Sequence, residues 1–342
     1  MTVGRAPDFW WRPPGWRSRA LAPAAALYSA VAGRRLKNGQ RWRAPAPVIC
    51  VGNPVAGGGG KTPTALALAK AARARGLRPG FLSRGHGGNA AQPLLVDPQR
   101  HDASIVGDEP LLLAAFAPTA VSRDRAAGAA LLVDRGACDL IIMDDGFQSA
   151  QLAFDLALLV VDSSRGTGNG AVIPAGPLRA PLGLQTHHAD ALVIVGAGEG
   201  AAKAEAAAHA AGKPVHRART APTNAEGFAG RRVLAFSGIA DPAKFHASLR
   251  ESGAEITQTR DFPDHHPFTE GELGALLADA GRRGLTLATT RKDAVRLQAC
   301  GALGLEVLEQ SLVLEIEMHF EPPETAAALV RQAVEVFAKH AG

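Results

Sequence analysis

Four consecutive glycines followed by Lys and Thr, set directly after a short apolar run, constrain this chain more than any other feature. Residues 47–51 (PVICV) read as a buried strand. The next stretch, GNPVAGGGGKTPTALALAKAARARG, passes through Gly57, Gly58, Gly59 and Gly60 to Lys61, Thr62 and Pro63. It then becomes an Ala/Leu-rich helix ending near Gly76. Strand, glycine loop and helix in that order form a phosphate cradle. Glycines let backbone N–H groups curl around an anion, and the helix N-terminus adds the positive end of its dipole. Lys61 is placed to reach the β- and γ-phosphates, and the Thr62 hydroxyl to ligate Mg²⁺. The spacing departs from GxxxxGK[ST] at one point, because Val55 stands where the first glycine belongs.

Downstream, apolar runs alternate with helical segments. Strands are expected at 80–83, 119–122, 139–143, 154–161 and 191–195, with helices at 107–117 and 125–135. Near-continuous apolar strands separated by helices predict a mostly parallel sheet covered on both faces, with ligands beyond the carboxyl ends of the strands. Asp144 and Asp145 follow the strand DLIIM at such an end, the usual place for a carboxylate that holds Mg²⁺ directly or through water. At roughly 150 residues per domain, 342 residues suggest two domains. Residues 197–230 are rich in Ala, Gly and polar groups. A second βα run opens at 232, with strands expected at 232–236, 255–260 and 285–289. The expected division is an N-terminal segment 1–44, a nucleotide domain 45–228 and a smaller α/β domain 229–342. The loop DFPDHHPF holds Asp264, His265 and His266. Adjacent histidines point different ways, so it reads either as a polar loop leading into a Thr269–Glu272 capping box or as the seat of a catalytic His.

Residues 1–44 have a different composition. They carry nine Arg or Lys against one acid, Asp8, so the excess of positive charge lies here and the remainder of the chain is slightly acidic. All four Trp residues (Trp10, Trp11, Trp16, Trp42) and the single Tyr28 fall in the same stretch. Amphipathic indoles beside cations suit a lipid headgroup layer. A basic helix docked on the domain and a nucleic-acid contact are the alternatives. The Ala-rich run with Pro23 fits a secretory signal poorly. Elsewhere, no run of about 18 strongly apolar residues predicts a spanning helix. Three cysteines without CxxC spacing exclude a zinc ribbon or a disulfide scaffold.

In order along the chain stand GNPVAGGGGKTP, FLSRGHGG, VGDEP, DDGFQ, PAGPLRAP, FSGIADPAKF, FPDHHPF and TTRKDAVRL. Together they resemble the tetraacyldisaccharide 4′-kinases, the lipid A 4′-kinases of Gram-negative bacteria. The resemblance implies a P-loop NTPase-type α/β fold with an N-terminal amphipathic helix on the membrane surface. It implies ATP and Mg²⁺, with transfer to the 4′-hydroxyl of a tetraacylated glucosamine disaccharide 1-phosphate, a lipid A precursor. It further implies a peripheral enzyme at an anionic membrane surface, on the cytoplasmic face of the inner membrane, with no nucleic-acid partner. By matched motif, Lys61 and Thr62 take the phosphate-loop roles, and Asp108 and His265 form the pair that deprotonates the sugar hydroxyl. Glu109, Asp144 and Asp145 stand around Mg²⁺, and Arg84, Arg123 and Arg179 sit at phosphate-binding positions. Four positions depart from the family pattern: Gly59 replaces Thr, His86 replaces Tyr, Ser149 replaces His and Arg291 replaces Glu.

Two other classes share parts of this signature. A ligase of the dethiobiotin-synthetase type has a similar glycine loop but needs neither the Trp/Arg segment nor a separate DHH domain. A membrane-associated GTP switch should carry an NKxD-like guanine reader, and TTRKD lacks that order.

Overall fold

The computed structural model describes residues 6–38 and 41–341. Among the described residues thirteen strands form two sheets. The large sheet contains β1 (Val48–Gly52), β2 (Pro79–Ser83), β3 (Leu94–Leu95), β4 (Thr119–Val121), β5 (Leu140–Asp144), β6 (Leu156–Asp162), β7 (Ala191–Val195), β8 (Val215–Pro222) and β13 (Ile316–Glu321). Its order is β13-β8-β7-β6-β1-β5-β2-β4-β3, so the strand that feeds the glycine loop lies at the centre. All its pairings are parallel except those at the two edges, β3 on β4 and β13 on β8. The small sheet, β10-β9-β11-β12, is parallel throughout and comprises β9 (Arg232–Ser237), β10 (Glu255–Asp261), β11 (Thr286–Thr290) and β12 (Ser311–Leu314).

The central strands are apolar on both faces because helices cover both. Cys50, Met143, Leu159 and Ile194 point into one core; Ile49, Val51, Leu158 and Val193 point into the other. This is the period-2 alternation of a strand, with each fully buried side chain contributing about 1.5–3 kcal/mol. Such strands were readable in the sequence to within a few residues. β8 (VHRARTAP) was not, because it is largely half-buried or exposed and carries no apolar periodicity. The helix Ala202–Ala210 beside it was likewise hidden in an Ala-rich stretch.

The expected junction at 228/229 falls in the connection between β8 and β9. The far limit differs from expectation. After β12 the chain returns to the large sheet as β13, and Leu329, Val330 and Ala333 of the last helix (Thr325–Ala341) join the core beneath the glycine-loop helix Lys61–Ala74. The second unit is therefore an insertion between two strands of the large sheet. Apolar positions on a 17-residue helix, read without their partner, do not say which sheet they cover.

The N-terminal segment forms a short turn Asp8–Trp11 and two helices, Trp16–Ala20 and Ala22–Asn38. Pro23 sits in the first turn of the second helix, where its missing N–H costs nothing. Ala25, Gly33 and Leu36 rest against the domain, while Leu27 and Val31, four residues apart, face outward. Among the described residues no helix is long and apolar enough to cross a membrane.

Candidate active site

The carboxyl ends of both sheets open on one cleft of about 1490 Å³. On the large-sheet side lies the glycine loop between β1 and the helix Lys61–Ala74. Gly57 (φ 107°) and Gly60 (φ 87°) occupy backbone conformations that disfavour any side chain, and Gly60 starts the helix. Val55 needs no such freedom. It makes an antiparallel bridge with Leu178, and this accounts for the missing glycine of the motif. Lys61 folds back over the loop. Its Nζ lies 3.4 Å from the Gly57 carbonyl and 3.9 Å from Asp145 Oδ1.

Beneath the loop the Thr62 hydroxyl donates to Asp144 Oδ2 (2.8 Å). Burial, reinforced by the charge of Glu109, pushes the Asp144 carboxyl up to about 7. Asp145 is half-buried, and Lys61 and Arg179 outweigh that partial burial and hold it below the usual carboxylate range. Asp144 Oδ1 and Asp145 Oδ1 are both buried without a hydrogen-bond partner. A hydroxyl and two orphaned carboxylate oxygens form an all-oxygen donor set, which fits Mg²⁺. Among the described residues no group of three or more His, Cys, Asp or Glu side chains could hold a metal ion by itself. Mg²⁺ needs no such cluster when substrate phosphates complete its shell. Glu109, expected among the metal ligands, accepts from Lys292 Nζ at 3.2 Å.

Arg179 holds the loop from the side. It donates to the Val55 carbonyl (3.0 Å), to Asp145 Oδ2 (3.1 Å) and to Gln148 Oε1 (3.4 Å). Arg84 and Arg123 line the cleft, both exposed. Pro63, Gly58 and Gly59 also line it.

The opposite wall joins a helix of the large-sheet unit to loops and a helix at the carboxyl ends of the small sheet. Asp108, 4% exposed, begins the helix Asp108–Ala114 behind Gly107. Gly107 is at φ 86°, where an added Cβ would strike the His86 carbonyl at 2.4 Å. Asp108 Oδ2 accepts from His265 Nδ1 at 3.1 Å, so two residues 157 positions apart in sequence meet as the resemblance implied. Burial raises the Asp108 carboxyl, but His265, Lys292 and Arg296 together hold it well below its ordinary value. His265 adopts φ 57° and Asp145 φ 55°. Both are non-glycine residues in the left-handed region, a conformation kept only where surrounding structure imposes it.

Three residues here were not assigned from sequence. Lys292 reaches Glu109, Asp108 and His265. Arg296, four residues on in the helix Arg291–Gln298, donates through Nε to Asp108 Oδ2 (2.9 Å) and through Nη1 to the Gly238 carbonyl (2.6 Å). Arg125, 3% exposed, backs the Asp145 carbonyl. Lys292 and Arg296 lie within TTRKDAVRL, so the motif was visible and the roles were not. His86 sets its ring edge-on to His265 with centroids 5.8 Å apart. His266 turns away, pairing with Glu272 at 2.9 Å beside the Thr269 capping box.

Residues 17–335 match the family profile described as tetraacyldisaccharide-1-P 4′-kinase. The chain is 51% identical to the tetraacyldisaccharide 4′-kinase of Rhizobium meliloti, over 97% of this chain and 96% of that one. It is 49% identical to the enzyme of the same name from Brucella melitensis, with 98% of each chain covered. The crystal structure of LpxK from Aquifex aeolicus in complex with ATP shares the fold. The TM-score is 0.68 at 26% identity, over 93% of this chain and 99% of that one.

Proposed function

The chain belongs to the tetraacyldisaccharide-1-P 4′-kinase family, and on that premise we propose that it transfers the γ-phosphoryl of ATP to the 4′-hydroxyl of the tetraacylated glucosamine disaccharide 1-phosphate, giving lipid IVA and ADP. The observation that carries the reading is the meeting in one cleft of the glycine loop and the Asp108–His265 pair.

Each group has a defined task. Backbone N–H groups of residues 57–60 and the helix end behind them hold the β- and γ-phosphates, and Lys61 neutralises charge that spreads over the transferring phosphoryl. Thr62, Asp144 and Asp145 would hold Mg²⁺ through their oxygens, and the ion would offset phosphate charge. Arg84, Arg123 and Arg179 present further positive charge to phosphate. A sugar hydroxyl is a poor nucleophile at neutral pH, so the Asp108–His265 pair takes its proton as the O–P bond forms and ADP departs.

The acceptor is a lipid, and the N-terminal segment supports access to it. Trp16 is 75% and Leu27 71% exposed, with Tyr28 and Val31 also outward, and Arg17, Arg19, Arg34 and Arg35 around them. Apolar side chains in the acyl boundary with cations at headgroup level describe a peripheral contact with an anionic bilayer. Since ATP must reach the same cleft, the membrane side served is the cytoplasmic face of the inner membrane.

The test is direct. Purified full chain, γ-labelled ATP, Mg²⁺ and the tetraacyldisaccharide 1-phosphate in detergent micelles should yield label on the 4′ position of the lipid. ATP hydrolysis without transfer to lipid would exclude the reading.

A further inference from the structure

One carbonyl of the glycine loop is turned inward. Asn53, fully buried just past the end of β1, donates from Nδ2 to the Gly57 carbonyl at 2.8 Å, and Lys61 Nζ adds a longer contact at 3.4 Å. The amide can face only one way, because the reverse orientation would set Oδ1 against another acceptor. Its Oδ1 is buried with no partner among the described residues. A buried oxygen left unpaired is a net cost to the fold, so stability does not explain an Asn at this position. Its effect is on the direction of one peptide. In a trans peptide the C=O of one residue and the N–H of the next point to opposite sides. A Gly57 carbonyl drawn down onto Asn53 therefore sends the Gly58 N–H up into the cleft, where no backbone carbonyl among the described residues accepts from it. The opposite arrangement is close in energy, because a peptide flanked by two glycines turns over with no Cβ to oppose it. Turned over, it would present a carbonyl oxygen to phosphate.

We propose that Asn53 is a positioning residue for the phosphate loop, fixing the peptide between Gly57 and Gly58 so that an N–H and not a carbonyl meets the phosphates of the nucleotide. This rests on the reading of the glycine loop as the ATP site. Lys61 does not do the same work: its contact with the Gly57 carbonyl is the longer one, and its ammonium also serves the phosphate charge. The departure from the family pattern at Gly59 fits the same role. A Cβ there would meet Asn53 Nδ2 at 3.3 Å and press on the amide that holds the loop, and glycine leaves it undisturbed. Gly58 offers a way to test the turnover itself. It lies outside the left-handed region, and a Cβ added to it would meet nothing within 4 Å. Turning the peptide over rotates φ of residue 58 by about 180°, into the region that glycine tolerates and alanine resists. Alanine at 58 thus opposes the turned-over state without needing Asn53.

The experiment is calorimetric titration of Mg·ATP onto the full chain, without lipid acceptor. Asn53→Ala should weaken binding about tenfold. Asn53→Asp keeps the shape but offers the Gly57 carbonyl no donor and draws the Gly58 N–H inward, so it should weaken binding about 30-fold or more. In a Gly58→Ala background the effect of Asn53→Ala should shrink to about threefold or less. The comparison is a double-mutant cycle, so any direct effect of Ala at 58 cancels. In the lipid-kinase assay KM for ATP should rise in step with the dissociation constant while kcat falls about threefold or less, the mark of binding lost equally in ground and transition states. Unchanged affinity in Asn53→Ala, or a full tenfold effect in the Gly58→Ala background, overturns the proposal and leaves the kinase reading standing. Absence of Mg·ATP binding by the wild type overturns both. Should Asn53→Ala not fold, Asn53→Asp measured in the Gly58 and Gly58→Ala backgrounds decides by the same criteria.

Discussion

The two walls of the cleft are made in different ways. The phosphate wall is local. Gly57 through Thr62 are contiguous, Asp144 ends β5 with Asp145 directly after it, and β5 pairs with β1. The acceptor wall is assembled from distant parts. Asp108 belongs to the large-sheet unit, while His265, Lys292 and Arg296 come from loops and a helix at the carboxyl ends of β10 and β11. One wall exists once a single sheet has formed. The other exists only when the inserted unit is seated, which makes the seating of that unit part of assembling the catalyst. Perturbations of the phosphate wall should thus change chemistry alone, whereas perturbations of the acceptor wall should change chemistry and inter-domain stability together.

The largest effect is expected on the local wall. Lys61→Ala should cut turnover by about three orders of magnitude or more, because charge on the transferring phosphoryl loses its nearest cation. Melting behaviour should stay close to wild type. Single-turnover phosphate transfer and a thermal scan check this, and near-normal transfer would remove Lys61 from the site. The next effect is on the assembled wall. Asp108→Ala and His265→Ala should each lower kcat by about 100-fold to 1000-fold, with the double variant little worse than the poorer single variant, since groups that act as a unit lose function non-additively. Strictly multiplicative losses would mean that the pair does not act as one.

Arg296→Met separates seating from chemistry. Arg296 and Asp108 are 7% and 4% exposed in their side chains, and the pair joins the two units. Removing one partner of a buried pair leaves the other charge poorly compensated, at a cost of about 3 kcal/mol. The inserted unit should then become susceptible to limited proteolysis at its junctions at lower denaturant, while ATP binding to the glycine loop persists. Unchanged proteolysis would show that the units are held by other contacts.

The same contrast explains what was legible in the sequence. Gly57, Lys61, Thr62, Asp144 and Asp145 announce themselves because the physics of a phosphate loop lies within a few residues of chain. Asp108 and His265 were found only through their motifs, and nothing in their local sequence predicts that they touch. Arg296 was not found at all. On the short helix Arg291–Gln298 it reads as one more surface cation, and its partner is 188 residues away. The return of β13 and the last helix to the large sheet was not legible for a related reason, and both fell inside the expected 229–342 domain. Amphipathic periodicity states that a face will be buried and is silent about what buries it.

The smallest expected effect lies outside both walls. Truncating the N-terminal segment is a poor test of membrane contact, because Ser18, Ala25 and Leu36 are buried against the domain and their removal would uncover its core. Trp10 Nε1 also donates to the Pro174 carbonyl at 3.0 Å, and the Trp10 carbonyl accepts from Asn169 N at 2.7 Å. That connection leads on to Arg179 and the glycine loop, so truncation would disturb the phosphate wall as well. Leu27→Ser and Trp16→Ser remove outward-facing apolar surface and leave those contacts intact. If each side chain loses roughly half of a full burial, about 1 kcal/mol, vesicle partitioning should fall about fivefold for either variant and about 25-fold for both together. Added salt should weaken binding further through Arg17, Arg19, Arg34 and Arg35. Turnover on short-chain acceptor in detergent should be unchanged, since neither side chain lines the cleft. Co-sedimentation with anionic vesicles at low and high salt measures the first two outcomes. Equal partitioning of the double variant and the wild type would show that the exposed faces of the helices Trp16–Ala20 and Ala22–Asn38 are not what meets the lipid.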